Sequence, residues 1–180
     1  SVALFVCLLL SLNSMGQKVY SVLTETWVNN STWQNSILEI NSYTGNNLTN
    51  SISQNWVVSL NAWENNSQSF YVYDTSANLT QSTSQLWDKG TNSWVNSDRL
   101  TFTYNAAKKV LTTVSETWTN SNWVNSTKIT NTYDFYAYLA TTVYQTWVPL
   151  SGTWKNSLQF LFTNNLHVTL SKEIIQLWES

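Results

Sequence analysis

The chain has 180 residues, of which 10% are charged, and its formal net charge is -2. Charge this sparse and scattered argues against a nucleic-acid partner, because binding phosphates needs a concentrated basic surface. The 11 tryptophans, with only 4 glycines and 1 proline, argue against a disordered chain, and the length suffices for one ordinary domain.

The first residues have the pattern of an export signal. Residues 2–10 form a continuous apolar run, and Ser14-Met15-Gly16 places small residues three and one before a cut. We predict a signal peptide over residues 1–16, so that the mature chain is secreted or displayed at the cell surface and meets a membrane only during export. The run is too short to span a bilayer. Because no Met or basic segment precedes it, we expect the natural signal to begin further upstream.

Tryptophans recur about every thirty residues in two interleaved series, which indicates one structural unit copied five times after a leading half unit. The two series are Trp27, Trp56, Trp87, Trp118, Trp147, Trp178 and Trp33, Trp63, Trp94, Trp123, Trp154. We predict a single β-repeat domain over residues 17–180, in which the half unit and the five units span 17–27, 28–56, 57–87, 88–118, 119–147 and 148–178.

The segments that end in the first series alternate between semi-apolar and hydroxyl side chains, which predicts strands. Val110-x-Thr112-x-Val114-x-Glu116-x-Trp118 is an example. The glycines and the proline after the predicted signal fall in short connections, as strand geometry demands. Connections this short force antiparallel neighbours. We therefore predict an all-β protein: an antiparallel meander of about eleven strands built from five hairpins.

The symmetry of each predicted hairpin fixes its register. Trp stands across from Trp, and an acid or amide stands across from Asn, on the same face of the sheet. We call the second kind of pair a polar rung. The predicted rungs are Glu25 with Asn35, Gln54 with Asn65, Gln85 with Asn96, Glu116 with Asn125, and Gln145 with Asn156. We interpret the tryptophans as a structural aromatic ladder whose indole N–H groups the rungs can satisfy.

A sheet with one apolar face must cover that face. Curling the sheet, or closing it into a barrel-like shell, would place the tryptophans inside. A flat single sheet would leave them wet and its edges open to other chains.

The pattern resembles a known group of repeats. Trp94-Val95-Asn96-Ser97 and Tyr73-Asp74-x-x-x-Asn78-Leu79-Thr80 look like the Trp-rich hairpin repeats of secreted Bacteroidetes proteins, and the second motif is also similar to the YD repeats of Rhs-type proteins. The resemblance covers residues 17–180 and implies export. Members of that group often carry a C-terminal sorting domain for type IX secretion, and we expect the natural protein to continue past Ser180.

The sequence gives no sign of catalysis, and we expect no cofactor and no metal. Cys7 lies in the predicted signal, so no disulfide framework is possible in the rest of the chain. His167 is the only histidine, and one histidine without cysteines does not make a zinc site. Paired acids can hydrolyse glycosides, but Glu25 and Glu116 occupy a repeated position that elsewhere holds Gln.

The leading hypothesis is a secreted or cell-surface, non-enzymatic module with a structural, adhesive or interaction role, whose partner is a glycan or another surface protein. One alternative is a carbohydrate-binding module that uses exposed tryptophans, Trp178 among them. Another is an outer-membrane β-barrel, because aromatics mark both ends of strands about ten residues long. Burial of most tryptophans would weaken the carbohydrate hypothesis.

Overall fold

The computed structural model describes residues 18–29, 31–164 and 170–178. The predicted signal peptide over residues 1–16 and His167 lie outside this part of the chain. Eleven strands follow one another: β1 Ser21–Val28, β2 Thr32–Thr44, β3 Asn47–Val57, β4 Ala62–Tyr73, β5 Leu79–Asp88, β6 Ser93–Tyr104, β7 Val110–Thr119, β8 Asn122–Tyr133, β9 Leu139–Val148, β10 Thr153–Asn164 and β11 Leu170–Leu177. One 3₁₀ turn, Val58–Leu60, joins β3 to β4.

The predicted all-β antiparallel meander is confirmed. The strands are hydrogen-bonded in sequence order from β1 to β11, so β1 and β11 end the order of an open sheet. The described residues group into two compact units. The first unit contains the chain up to Tyr71 together with Ser84–Asn96, and the second contains Val72–Thr83 together with the chain from Ser97. In the described ranges, no helix has the length and apolarity needed to cross a membrane.

Four of the Trp-bearing hairpins contain a β-bulge that the sequence register does not predict. In the β7–β8 pair, Glu116 lies opposite Asn125 and Ser115 lies opposite Thr127, so that Ser126 is the extra residue. The same shift makes Ser36, Asn66 and Ser157 extra residues in their hairpins. The fourth residue of the Trp-x-Asn-[Ser/Asn] motif is therefore a bulge. A bulge restarts the alternation of faces, which explains why the apolar residues of β2 and β4 change parity after it.

At the strand ends away from the Trp pairs, tight turns begin at the residue after the tyrosine. The Asp74 carboxylate Oδ1 accepts hydrogen bonds from the backbone N–H groups of Ser76 and Asn78, at 2.9 and 2.8 Å. Its Oδ2 accepts one from the Asn78 side chain at 2.8 Å. These bonds, the one from the Asn78 side chain first, lower the pKa of Asp74 below its ordinary value. Asn105 and Asp134 hold the next two turns in the same way, since such side chains replace a backbone acceptor in turns.

Two tyrosine hydroxyls bond to the first residue of the preceding strand. The Tyr104 hydroxyl donates to the Leu79 carbonyl at 2.7 Å, and the Tyr133 hydroxyl donates to the Val110 carbonyl at 2.8 Å. Leu79 and Val110 are the first residues of β5 and β7. The tyrosines that the sequence places at the far strand ends therefore fasten neighbouring repeats of the second unit.

The described residues include no buried apolar side chain. The two buried residues are polar: Gln68 is 8% exposed and Thr142 is 7% exposed. Of the two forms that the sequence left open, the closed barrel is not formed, and no tryptophan is buried in this part of the chain. Alternation along a strand decides which face is apolar, but it does not decide whether another layer covers that face.

Candidate binding face

The tryptophans meet in pairs at the connection end of each hairpin. Trp56 lies opposite Trp63, and their ring centroids are 5.1 Å apart at an interplanar angle of 68°. The other four pairs, Trp27–Trp33, Trp87–Trp94, Trp118–Trp123 and Trp147–Trp154, have centroid distances of 5.0 or 5.1 Å and the same edge-to-face geometry. This arrangement contributes about 0.5–1.5 kcal/mol per pair beyond the area it buries.

The polar rungs lie beside the Trp pairs on the same face, which we call the Trp face. The Gln54 side-chain N–H donates to the Asn65 carbonyl oxygen at 2.9 Å. The rungs of Gln85 with Asn96 and Gln145 with Asn156 have the same bond at 2.8 Å. In the two rungs with an acid, Glu25 lies opposite Asn35 and Glu116 lies opposite Asn125, but no hydrogen bond joins the described side chains of either pair.

The sequence register misses a further position of the Trp face, because the bulge shifts the alternation of the residues that follow it. The fifth residue after each Trp of the second series lies beside the rung residue of the next strand. This set comprises Leu38, Gln68, Arg99, Lys128 and Gln159. Leu38 lies opposite Gln54, Arg99 opposite Glu116, Lys128 opposite Gln145 and Gln159 opposite Gln176. With the rungs, these residues form a polar row that crosses the strands in each unit.

The buried Gln68 shows how this row is joined in the first unit. Its side-chain N–H donates to the Gln85 carbonyl oxygen at 2.6 Å, and Gln85 in turn donates to Asn96. Three amides on β4, β5 and β6 therefore form one chain of hydrogen bonds. The signal in the sequence was the recurrence of a mostly polar residue five positions after Trp.

An ion pair replaces the amides at the corresponding place in the second unit. The Arg99 guanidinium donates two hydrogen bonds to the Glu116 carboxylate, at 2.6 and 2.7 Å, and lies 4.7 Å from the centroid of the Trp123 ring. The bond to Glu116 is the main cause that raises the pKa of Arg99 above its ordinary value. Glu116 is thus held by Arg99 and not by its predicted rung partner.

Because Gln occupies the matching positions elsewhere, the ion pair can be exchanged for amides. We expect Glu116→Gln alone to lower the free energy of unfolding by about 1–2 kcal/mol, since Arg99 loses its charged partner. Adding Arg99→Gln should recover most of that loss, because it recreates the Gln68–Gln85 pair. The cation–π contact with Trp123 would stay lost. Urea unfolding followed by far-UV circular dichroism measures both effects.

Salt supplies the control for this exchange. The stability advantage of the wild type over the double variant should shrink as NaCl is raised, since ions screen the charged pair and not the amide pair. Strictly additive losses in the two single variants and the double variant would contradict the pairing.

None of the eleven tryptophans is buried. Trp33 is 51% exposed, Trp27 and Trp178 are each 40% exposed, and the remaining eight are half-buried. The pairs are therefore packed against each other and open to solvent at the same time. Such a face offers indole surface for stacking and amide groups for hydrogen bonding, repeated once per hairpin.

Two rung positions of the Trp face hold an acid. Glu25 belongs to the first compact unit and Glu116 to the second, where Arg99 neutralises it. No group of three His, Cys, Asp or Glu side chains that could hold a metal ion occurs among the residues that the structure describes.

The fold and this face define an open antiparallel meander of Trp-paired hairpins. No model of a known protein family matches the sequence, and no curated protein matches it. Among solved structures, a protein with unknown function from Bacteroides fragilis has a similar fold. It is 15% identical, the match covers 74% of this chain and 94% of that chain, and the TM-score is 0.59.

Two DUF3836 family proteins give weaker matches, both with a TM-score of 0.37. The one from Bacteroides vulgatus is 11% identical over 78% of this chain and 98% of its own. The one from Parabacteroides distasonis is 8% identical over 79% of this chain and 90% of its own. At 15% identity, the match to the Bacteroides fragilis protein shows the fold and not the function.

Proposed function

We propose that this chain is an exported, non-enzymatic interaction module that works at the cell surface or outside the cell. The observation that carries the proposal is the repetition of one surface arrangement, a Trp pair beside a polar rung, none of whose tryptophans is buried. Large amphipathic aromatic side chains that stay accessible are typical of contact surfaces. Repetition in every hairpin gives several equivalent contacts, which suits an adhesive or scaffolding role.

Four features support the location and the non-enzymatic role. The predicted signal over residues 1–16 and the resemblance to secreted Trp-rich hairpin repeats both favour export. The fold neighbour from Bacteroides fragilis comes from the same bacterial group as those repeats. The carboxylate of Glu116 accepts two hydrogen bonds from Arg99, which favours a structural role for this acid.

Expression of the natural reading frame, with its complete signal, in a Bacteroides host tests the location. Antibody labelling of intact cells, with loss of the label after proteinase K treatment, is expected for a surface protein, and recovery from the medium is expected for a secreted one. Retention of the chain inside intact cells would contradict the proposal.

The interaction role is tested with purified, fluorescently labelled protein on bacterial envelopes and on immobilised mucin. We expect saturable binding that falls at least fivefold in the Trp27→Ser/Trp33→Ser double variant, which changes an already exposed pair. Leu86→Ser is the matched control, because Leu86 is exposed and neighbours Trp87 in β5, so it lies on the opposite face. Equal binding by all three proteins, or binding by none, would contradict the role.

A further inference from the structure

The polar rungs have hydrogen-bonding capacity that the protein itself does not use. In the rung of β3 and β4, Gln54 uses one N–H and Asn65 uses its carbonyl oxygen. Within the described part of the chain, no protein group pairs with the Asn65 side-chain NH₂ or with the Gln54 carbonyl oxygen. In the next hairpin the Asn96 NH₂ is likewise unpaired, while Gln85 is satisfied on both sides.

Each free amide lies next to a Trp pair on the same face, two positions further along its strand. Asn65 follows Trp63 by two positions and Asn96 follows Trp94 by two positions, so each shares a face with its tryptophan. The unit that repeats is thus indole surface together with an unpaired donor, and in the β3–β4 hairpin also an unpaired acceptor. Hydroxyl groups pair with both donors and acceptors, and the C–H faces of pyranose rings stack on indole.

The two sites belong to the first compact unit and lie on consecutive hairpins. Neighbouring strands are about 4.8 Å apart, so equivalent positions two strands apart repeat at about 9–10 Å. That spacing is close to the length of two sugar rings in an extended, β-linked chain. The Gln68–Gln85 bond joins the two hairpins, so their separation is fixed by the protein and not by the ligand.

The charge of these sites selects among polymers. The side chains that form them, Trp56 with Trp63, Gln54 with Asn65, Trp87 with Trp94 and Gln85 with Asn96, are all neutral. A polyanion would find no cationic group in either rung.

We propose that the Trp face of the first unit binds a neutral, extended, β-linked polysaccharide, which lies across the strands with one disaccharide per hairpin. The inference rests on the proposed interaction role and names the partner of that face. Asn65 and Asn96 donate to sugar hydroxyls, and the paired indoles carry the stacking.

The test measures binding of the full chain by affinity electrophoresis in gels that contain one polysaccharide each. The panel is hydroxyethyl cellulose, β-1,4-xylan and β-1,4-mannan, with glycogen as an α-linked polymer and polygalacturonate as an acidic one. We expect retardation by at least one neutral β-linked polymer and none by glycogen or polygalacturonate. With soluble β-1,4 oligosaccharides of that sugar, calorimetry should give about tenfold tighter binding for the tetrasaccharide than for the disaccharide, because the second site then binds intramolecularly.

Asn65→Asp separates binding from folding. The aspartate keeps an oxygen that accepts the Gln54 hydrogen bond, and it replaces the unpaired NH₂ donor by an acceptor oxygen that shares one negative charge. We expect about tenfold weaker binding, the equivalent of one lost hydrogen bond, with an unchanged unfolding midpoint. Asn46→Asp makes the same chemical change at the exposed turn between β2 and β3 and should bind as the wild type does.

Three results would overturn the inference: no neutral β-linked polymer binds, only glycogen or polygalacturonate binds, or Asn65→Asp binds as tightly as Asn46→Asp. Trp-dependent binding to envelopes or mucin distinguishes this failure from that of the proposed function. If that binding persists while the panel is negative, the interaction role stands and the partner is not such a glycan. If both are lost, the interaction role itself is wrong.

Discussion

Deletion of Ile129 from β8 is expected to lower the free energy of unfolding by on the order of 3 kcal/mol or more, a large fraction of the stability of an ordinary domain. Ile129 lies in regular pairing with Thr113 and Tyr144. Removing one residue from a regular strand sends every side chain on one side of the deletion to the other face. Either Trp123 leaves Trp118 or Tyr133 loses the Val110 carbonyl.

Deletion of Ser126 in the same strand is the matched control, and it should cost less than half as much. Ser126 is the extra residue of the bulge, so its removal joins Asn125 to Thr127 in simple alternation and keeps every face unchanged. Urea unfolding followed by far-UV circular dichroism compares the two deletions. Equal losses would show that the bulge is not where the register places it.

Trp123→Ala carries the second largest expected effect, a loss of about 2–3 kcal/mol in the free energy of unfolding. The half-buried Trp123 ring contacts Trp118 at a centroid distance of 5.0 Å and lies under the Arg99 guanidinium. Truncation removes the aromatic pair and the cation–π contact together. Trp33→Ala should lose only about 1 kcal/mol, because half of the Trp33 side chain is already in water.

Circular dichroism, and not tryptophan fluorescence, should follow these variants, since the substitutions change the fluorophores. Trp123→Phe provides the control for aromatic contact and should keep more than half of the stability that Trp123→Ala loses. If Trp33→Ala lowers the free energy of unfolding as much as Trp123→Ala does, then the exposure of a tryptophan does not determine how much its pair contributes to stability.

The order of the strands and the facing tryptophans could be predicted because both follow from local rules. A period of about thirty residues in two Trp series, with short connections, leaves few topologies other than a meander. The symmetry of a hairpin then fixes which residues face each other near its connection. Trp56 opposite Trp63 and Gln54 opposite Asn65 need no further information.

The bulges could not be placed from local rules, and their omission hid half of the polar row. Ser36 or Ser126 looks like any other Ser in a strand rich in hydroxyl side chains. The change of parity at Leu38 and Ile40 was the visible trace, and it becomes interpretable only when the pairing partner on the next strand is known. The position of Arg99 beside Glu116 depends on that shift.

The exposure of the Trp face also lay beyond the sequence. An apolar face needs a covering layer only if the free energy of exposing it to water exceeds the free energy that its residues gain by packing on one another. Paired indoles shield each other from water and so lower the cost of exposure. Gln68, whose side chain is among the best buried, was expected at no core position. The burial of an amide instead of an aliphatic side chain reflects its hydrogen bond to Gln85 in the row.

The central claim is that the folded protein exposes its Trp face. The most direct test is whether a reagent in the solvent reaches the tryptophans. Hydroxyl-radical footprinting of the native chain, read by mass spectrometry, should oxidise all five pairs before any unfolding, and Trp33 should react fastest. Trp27 and Trp178 should follow, and the half-buried tryptophans should react more slowly but measurably. Protection of the inner pairs until the chain unfolds in urea would contradict the account, because it would place them in a covered core.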